Sequence, residues 1–269
     1  MMFIFFQKVL PHHLLSRVAG FLASTRFLLV RWPFIRLFAA YYKVNMSEAE
    51  RPDTRQYSCF NDFFTRSLKA GARPIAESAW ICPADGMVSE AGAINHGSIV
   101  QAKNHQYTVG QLLGESAEAE DYTSGSFVTV YLSPRDYHRV HVPGDARLLS
   151  YTYIPGQLFS VNKVTTENIS HLFARNERLV CHFDSNDGPF CVVMVGAMIV
   201  AGIRPIWQED RFKPGVAVQK KLDTPLEFNK GDELGKFELG STVILLVPRR
   251  IDWTVSVADK VMMGQSLVR

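Results

Sequence analysis

The sequence lacks the features that would place it in several common protein classes. Its four cysteines form no C-x-x-C pair and lie far apart, at Cys59, Cys82, Cys181 and Cys191. That spacing argues against a zinc site and a dense disulfide framework, and it favours a reducing compartment with the cysteines as small buried apolar residues. Internal repeats and low-complexity segments are also missing. The 269 residues therefore fit one large domain, or one domain with an appendage.

Acidic residues are missing from the first 43 positions, which hold six basic residues. The rest of the chain has 23 basic and 26 acidic residues, so its net charge is −3 although the whole chain carries +3. Any attraction to an anionic surface must therefore come from the N-terminus. The main domain is not expected to bind nucleic acid.

The N-terminal segment, residues 1–45, also lacks a long apolar run. A helix that spans a bilayer needs about 20 mainly apolar residues, and Lys or Arg interrupts every apolar run here well before that length. A secretory signal fits poorly as well, which favours the cytoplasmic face of the cell membrane. We interpret the segment as short amphipathic helices, broken at Pro11 and Pro33, that contact the membrane surface through residues 1–43. Two alternatives are a helical cap packed on the domain core and an Arg-rich organelle transit peptide.

The body of the chain, residues 46–269, is dominated by short β-branched and apolar runs. One helix is predicted around Asn61–Lys69, with Asn61 as its N-cap, because phenylalanines recur there at helical spacing. Five runs beyond Ala79 predict strands: Phe127–Leu132, Leu148–Ile154, Phe190–Val195, Met198–Ile203 and Thr242–Val247. Turn signals such as Pro143-Gly144 separate them and favour antiparallel pairing over βαβ units. The predicted fold class is α+β: a predominantly antiparallel, barrel-like β catalytic domain with N-terminal amphipathic helices.

Three segments of the body contain reactive side chains, namely Pro83–Gly86, Tyr131–Pro143 and Phe237–Leu246. They supply Asp, His and Ser in that order. Because a catalytic triad is defined by geometry, the order neither supports nor excludes one. An Asp-Gly pair is usually a turn, and a Ser after Gly is usually the start of a strand, so each segment alone is a weak indication.

The second segment contains His138 and His141, which would face opposite sides of an extended strand and can serve one site only if the chain bends. Titratable neighbours crowd the same stretch. Metal binding is a competing hypothesis, but H-x-x-H without a Glu at helical spacing is not a metalloprotease signature, and no metal is expected. A conventional serine hydrolase is disfavoured because Leu239–Thr242 lacks the G-x-S-x-G elbow.

Taken together, these segments resemble those of the phosphatidylserine decarboxylase family, whose self-cleavage motif matches L-G-S-T at residues 239–242. The resemblance extends over most of the chain in the right order and is weakest over residues 204–229. Its motifs are YYKV (41–44), FNDFF (60–64), PADG (83–86), YLSPRDYHRVH (131–141), PGQLFSVN (155–162), FARNER (173–178), VGA (195–197) and KGDELGKFELGST (230–242).

The resemblance implies a proenzyme that cuts itself between Gly240 and Ser241. The Ser241 hydroxyl would attack the Gly240 carbonyl, with His141 as the base and Asp85 as the group that orients the imidazole. Elimination would leave residues 241–269, the alpha subunit, with a pyruvoyl group in place of Ser241, and residues 1–240 as the beta subunit. The two products would stay together as a heterodimer, and whether that heterodimer dimerises further is left open.

The implied reaction is decarboxylation of phosphatidylserine to phosphatidylethanolamine, through a Schiff base between the substrate amine and the pyruvoyl carbonyl, which accepts electrons as carbon dioxide leaves. His138 is a candidate for proton transfer or for contact with the substrate phosphate. Residues 155–162 are a candidate substrate loop, and residues 243–247 a buried strand that would hold the cofactor rigidly. The expected protein is a peripheral membrane enzyme with a phospholipid substrate. The alternative is a non-enzymatic lipid-binding or carrier-like β-domain.

Overall fold

The computed structural model describes residues 20–102, 105–197, 202–238 and 241–269. Strands predominate in this part of the chain: β1 (Gly86–Ala93), β2 (Ser98–Ala102), β3 (His105–Thr108), β4 (Ser126–Leu132), β5 (Arg139–His141), β6 (Ala146–Ile154), β7 (Arg178–Ser185), β8 (Phe190–Gly196), β9 (Ile203–Pro205), β10 (Val218–Phe228), β11 (Glu233–Phe237), β12 (Ser241–Val247) and β13 (Lys260–Val261). The α-helices are α1 (Leu28–Tyr42), α2 (Phe60–Phe64), α3 (Val109–Leu113), α4 (Lys163–Thr166) and α5 (Leu172–Arg175). Short 3-10 turns lie at Met46–Glu48, Thr54–Gln56 and Ala117–Tyr122.

Eight strands form one antiparallel sheet in the order β10-β6-β7-β8-β12-β4-β1-β13. β12 lies between β8 and β4, and every one of its residues is buried. Its side chains alternate between two apolar clusters: Val243 and Leu245 pack on one face of the sheet, and Ile244 and Leu246 on the other. Because both faces are covered, the strand needs a continuous apolar sequence, which residues 243–247 supply.

A smaller sheet, in the order β5-β11-β9, covers the first of these faces. Val140 of β5 and Phe237 of β11 belong to the same apolar cluster as Val243. The hairpin β2–β3, together with α3 and α5, covers the opposite face, where Ile99 and Leu112 share a cluster with Ile244. The strand that begins at Ser241 is therefore held between two apolar layers.

The helix α1 packs on α2 through a third, mainly aromatic cluster. Phe34 and Phe38 lie with their ring centroids 4.7 and 4.8 Å from that of Phe60. The prediction that Pro33 breaks this segment is wrong, because α1 runs through it. A proline inside a helix costs about 3 kcal/mol, and aromatic pairs on the following turns offset part of that, at about 0.5–1.5 kcal/mol each beyond their burial. Pro11 lies outside the described residues.

The helix α2 is shorter than predicted and begins one residue earlier. Its N-cap is Cys59, and Asn61 is a buried residue of the first turn, so the predicted Asn61 cap is wrong. The Asn61 amide instead donates to Ser24 Oγ at 3.3 Å. The helix ends at Phe64, where the following Thr65 hydroxyl donates to the Asn61 carbonyl at 2.8 Å and the chain turns away.

The α+β class with mainly antiparallel strands is confirmed. Four of the five predicted strands correspond to β4, β6, β8 and β12. Of the fifth, residues 198–201 lie outside the described residues, and Ile203 belongs to β9. Eight of the described strands were not predicted: β1, β2, β3, β5, β7, β10, β11 and β13. The edge strand β10 was missed because its side chains are mostly polar and exposed. In the described residues β10 and β13 remain edges, so the large sheet does not close on itself.

Candidate active site

Ser241 is the first residue of the central strand β12, and it is fully buried. It pairs with Leu132 of β4 on one side and with Gly196 of β8 on the other. Its hydroxyl has no hydrogen-bond partner among the described residues. A buried hydroxyl usually finds a partner, so an unpaired one is typical of a functional site.

Asp85 lies at the same end of the sheet as Ser241, two strands away. It precedes β1, where Met87 pairs with Tyr131 of β4, and the neighbouring Leu132 pairs with Ser241. The tight approach of Gly86 to β4 favours glycine, since an added Cβ would lie 2.3 Å from the Tyr131 carbonyl oxygen. The Pro-Ala-Asp-Gly segment therefore brings a carboxylate to the Ser241 end of the sheet.

The Asp85 carboxylate is buried and accepts a bidentate ion pair from Arg73, with the Nε to Oδ1 distance at 2.9 Å. The backbone N–H of Met263 donates to the same oxygen at 2.9 Å. Arg73 also contacts Glu48 at 2.8 Å, and its hydrogen bond to Asp85 raises its pKa further. These donors fix an ionised carboxylate in one orientation.

His141 is buried on β5 and makes a hydrogen bond with each ring nitrogen. Nδ1 lies 2.7 Å from the Gly231 carbonyl, which can only accept, so Nδ1 carries the hydrogen and Nε2 the lone pair. Nε2 accepts the hydroxyl of Tyr137 at 3.0 Å. Burial lowers the pKa of His141, while the hydrogen bond to Gly231 and the charges of Glu233 and, to a smaller extent, Asp85 act in the opposite direction. The ring is therefore a neutral base whose lone pair is held by a phenol.

His138 is also neutral, and its basic nitrogen is free. Nδ1 donates to the Asp136 carbonyl at 2.9 Å, which leaves the lone pair on Nε2. Nε2 is buried and has no hydrogen-bond partner in the described part of the chain. Burial lowers the pKa of His138 to about 3, and the ring lies against Phe64 with centroids 4.0 Å apart.

Tyr137 and His138 directly precede β5, and extending the alternation of the strand back to them places the two histidines on opposite sides of the chain. Tyr137 and His141 share one face and bond to each other. His138 has the same parity as Val140, which packs in the cluster that also contains Val243 of β12. Ser241 has the parity of Val243, so alternation directs His138 and Ser241 towards the same layer.

The chain before Ser241 passes close to His138. The backbone N–H of Phe237 donates to the His138 carbonyl at 3.0 Å. The next residue, Glu238, is buried, and its carboxylate contacts Arg211 and lies 3.8 Å from Arg204. Gly240, the predicted acyl side of the cleaved bond, lies outside the described residues together with Leu239.

The candidate substrate loop, residues 155–162, is anchored beside Ser241. The Asn176 amide nitrogen donates to the Phe159 carbonyl at 2.9 Å and to the Gly196 carbonyl at 2.8 Å. Gly196 is the β8 partner of Ser241. A loop fixed to this residue can shape the space around the start of β12.

The structure thus brings Asp85, His138, His141 and Ser241 to one end of the fold. The triad members do not form a continuous hydrogen-bonded relay: Asp85 is paired with Arg73, and His141 with Tyr137. Sequence reasoning did not identify Arg73 or the role of Tyr137. The presence of Tyr137 four residues before His141 was a usable signal, because residues four apart in an extended chain lie on the same side. Arg73, in contrast, lies in a loop with no recognisable pattern.

Comparison with known proteins places these residues in a family. A family model described as phosphatidylserine decarboxylase matches residues 60–269, and a second, described as PSD, matches residues 2–43. The phosphatidylserine decarboxylase proenzyme of Pseudomonas putida strain F1 is 49% identical over 280 residues, covering 99% of this chain and 96% of that protein.

Two further proenzymes of the same description are similarly related. The one from Ectopseudomonas mendocina is 48% identical over 277 residues, covering 99% of this chain and 97% of its own. The one from Pseudomonas aeruginosa strain LESB58 is 48% identical over 277 residues, covering 99% and 96%. The segments that carry the buried Asp, His and Ser lie within the matched range. This chain therefore belongs to the phosphatidylserine decarboxylase family.

Proposed function

We propose that this chain is a proenzyme that cuts itself between Gly240 and Ser241 and then decarboxylates phosphatidylserine to phosphatidylethanolamine. The observation that carries the proposal is the buried, unpaired hydroxyl of Ser241 at the start of the central strand. It lies at the end of the fold that also holds two neutral histidines and an ionised aspartate. Cleavage divides the chain into residues 1–240 and 241–269, which remain associated because β12 is paired on both sides.

In self-cleavage, the Ser241 oxygen attacks the Gly240 carbonyl carbon, the amide C–N bond breaks and an ester forms. His141 takes the hydroxyl proton on Nε2, and the Asp85 charge stabilises the resulting imidazolium. Tyr137 occupies Nε2 in this structure, so this hydrogen bond has to be exchanged before the proton can be received. The imidazolium gives this proton to the released Ser241 nitrogen. Loss of the Ser241 α-proton then expels the residue 240 carboxylate and leaves a dehydroalanine, which water hydrolyses to a pyruvoyl group with release of ammonia.

The site fits a pyruvoyl group in place of Ser241. The side chain is buried and makes no competing hydrogen bond within the described ranges, and β4 and β8 hold the backbone from both sides. Such a group supplies an electron-withdrawing carbonyl for decarboxylation. His138 directs towards the same layer an unprotonated nitrogen that has no partner in the described residues. This nitrogen first takes a proton from the substrate amine. It then donates that proton to the carbon atom that carbon dioxide has left.

The N-terminal helix supports a peripheral position on an anionic membrane. Val30, Phe34, Leu37 and Tyr41 recur at helical spacing, and all four are exposed. This stripe, together with the basic residues of 1–43, suits the headgroup region. No helix in the described ranges is long and apolar enough to cross a bilayer.

The test is a denaturing gel of purified protein combined with release of carbon dioxide from carboxyl-labelled phosphatidylserine. We expect two chains, the smaller having 29 residues and resisting Edman degradation because its N-terminus is blocked. Ser241→Ala should give one chain and no carbon dioxide. Active protein that consists of a single intact chain would contradict the proposal, and an inactive intact chain would favour the lipid-binding alternative.

A further inference from the structure

We infer that Arg66 is the phosphate-recognition residue of this enzyme, binding the phosphate diester of the lipid headgroup in a cavity between α1 and the Asp85 end of the sheet. The inference rests on the proposed function and adds the group that positions the substrate. Three observations carry it: the unmet hydrogen-bonding capacity of Arg66, the charges that surround it and the position of the cavity.

Arg66 is 3% exposed, yet most of its donors are unused. Its Nη2 donates to the carbonyls of Arg135 and Asp136 at 3.0 and 3.2 Å. Nε and Nη1 are buried without a hydrogen-bond partner in the described residues. Burial lowers the pKa of Arg66, but a guanidinium keeps its charge in proteins. A buried charge with free donors is costly unless a counter-ion is bound.

The cavity beside Arg66 has a volume of about 280 Å³, large enough for a headgroup. The basic groups at its wall are Lys43, Arg66, Arg73, Arg135 and Lys260. The acidic groups at its wall are Glu48, Asp85 and Asp136.

The carboxylates at this wall are already engaged. Glu48 and Asp85 bind Arg73, and Asp136 accepts from Ser133 at 2.6 Å. None of them bonds to Arg66. An anion from outside the chain is therefore the missing partner of Arg66.

The position of the cavity identifies the class of anion. Lys43, which directly follows α1, lines the cavity together with Asp85 and Tyr137. In phosphatidylserine the phosphate lies between the diacylglycerol and the reacting serine, so a cavity lined both by the end of α1 and by residues of the site suits the phosphate. Met87 and Met262, both largely exposed, add an apolar wall suited to the glycerol carbons.

The test measures binding by calorimetry with three soluble probes. Glycerophosphoethanolamine has the phosphate diester and the amine but no carboxylate, free serine has the amine and the carboxylate but no phosphate, and inorganic phosphate has neither amine nor carboxylate. Arg66→Met should weaken glycerophosphoethanolamine binding roughly ten- to hundredfold, as loss of charged hydrogen bonds predicts. The KM for phosphatidylserine should rise by a similar factor while self-cleavage proceeds. Arg147→Met is the matched control, because Arg147 is a half-exposed arginine paired with Asp184, and it should change neither quantity.

Two further variants keep the test decisive if Arg66→Met does not fold: the single variant Arg66→Lys, and the double variant Lys43→Gln/Lys260→Gln at the exposed rim of the cavity. Each of these two variants should weaken diester binding less than Arg66→Met does, and each should still cleave itself. Unchanged diester affinity and KM in these variants would overturn the inference, as would tighter binding of serine or inorganic phosphate than of the diester. Failure of the proposed function would be seen differently: the wild-type chain would remain uncleaved, whatever its affinity for the diester.

Discussion

The Ser241 end of the sheet and the N-terminal helix α1 differ in which groups they bury and which they expose. At the sheet end, the Ser241 hydroxyl and His138 Nε2 are buried and have no hydrogen-bond partner among the described residues. On α1, apolar groups are exposed, including Leu29 at 76% and Leu37 at 69%. Each arrangement is unfavourable in an isolated soluble protein. We propose that the first region serves the reaction and the second a membrane surface, so variants should separate the two.

The largest effect is expected for replacement of His141, which should abolish self-cleavage and leave membrane binding unchanged. His141→Ala removes the proposed base, so the purified protein should run as one uncleaved chain on a denaturing gel. Binding to anionic liposomes should be unchanged because α1 is intact. Normal processing of this variant would refute the triad assignment.

His138→Ala should divide the chemistry itself into two steps. Cleavage should proceed, because His141 remains, while decarboxylation should fall roughly 10²- to 10⁴-fold, the range for loss of a proton-transfer group. Rates of carbon dioxide release from cleaved protein measure this. Full activity would eliminate the proposed role. An uncleaved His138→Ala with a cleaved His141→Ala would show that the two roles are exchanged, as the shared layer of His138 and Ser241 allows.

The converse separation comes from α1. Replacing Phe27, Leu29 and Leu37 with Gln removes exposed apolar surface without touching Ile35, the buried residue of the helix. Sedimentation with anionic liposomes should fall about tenfold or more, and wild-type binding should weaken with salt. Self-cleavage should be unaffected. Leu149→Gln and Val216→Gln, at exposed positions elsewhere, are matched controls. Unchanged sedimentation of the triple variant would remove α1 from the membrane contact.

The smallest effect is a pH dependence of stability to which the buried ring of His138 contributes. His138 has a pKa of about 3 when folded and about 6.5 when unfolded, so between these values the unfolded chain binds a proton that the folded chain excludes. Stability should therefore fall as pH falls from about 6.5 towards 3, by at most about 1.4 kcal/mol per pH unit from this group.

This pH dependence is best measured by urea unfolding in the uncleaved Ser241→Ala background, which keeps a single chain. His138→Gln in that background should show a shallower slope. An equal slope in both proteins would show that other groups titrate instead.

The sequence predicted those parts of the fold in which a run of neighbouring residues reflects a single structural requirement, such as burial on both faces of a strand. The central strand was predictable because residues covered on both faces must be apolar, and β12 is read directly from residues 242–247. Ser241 was identified only through the motif around it, since a Gly-Ser pair alone usually starts a strand. Alternation predicted that His138 and His141 face opposite sides of an extended strand, and His138 lies just before β5.

The remaining parts of the site depend on contacts that sequence does not encode locally. Arg66 reaches a turn about 70 residues away, and Arg73 reaches Asp85 through a loop. Pro33 was misjudged because the aromatic packing of α1 on α2 offsets part of the intrinsic cost of proline, and the local sequence does not reveal that packing. The edge strand β10 escaped because its exposed polar residues show no apolar alternation.

Intact-mass spectrometry of the purified protein tests the central claim most directly. The account predicts two masses, the smaller equal to residues 241–269 less one molecule of ammonia, which is the difference between a serine and a pyruvoyl end. A smaller chain with an unmodified serine would show cleavage without cofactor formation. A single mass for all 269 residues in protein that releases carbon dioxide would contradict the account.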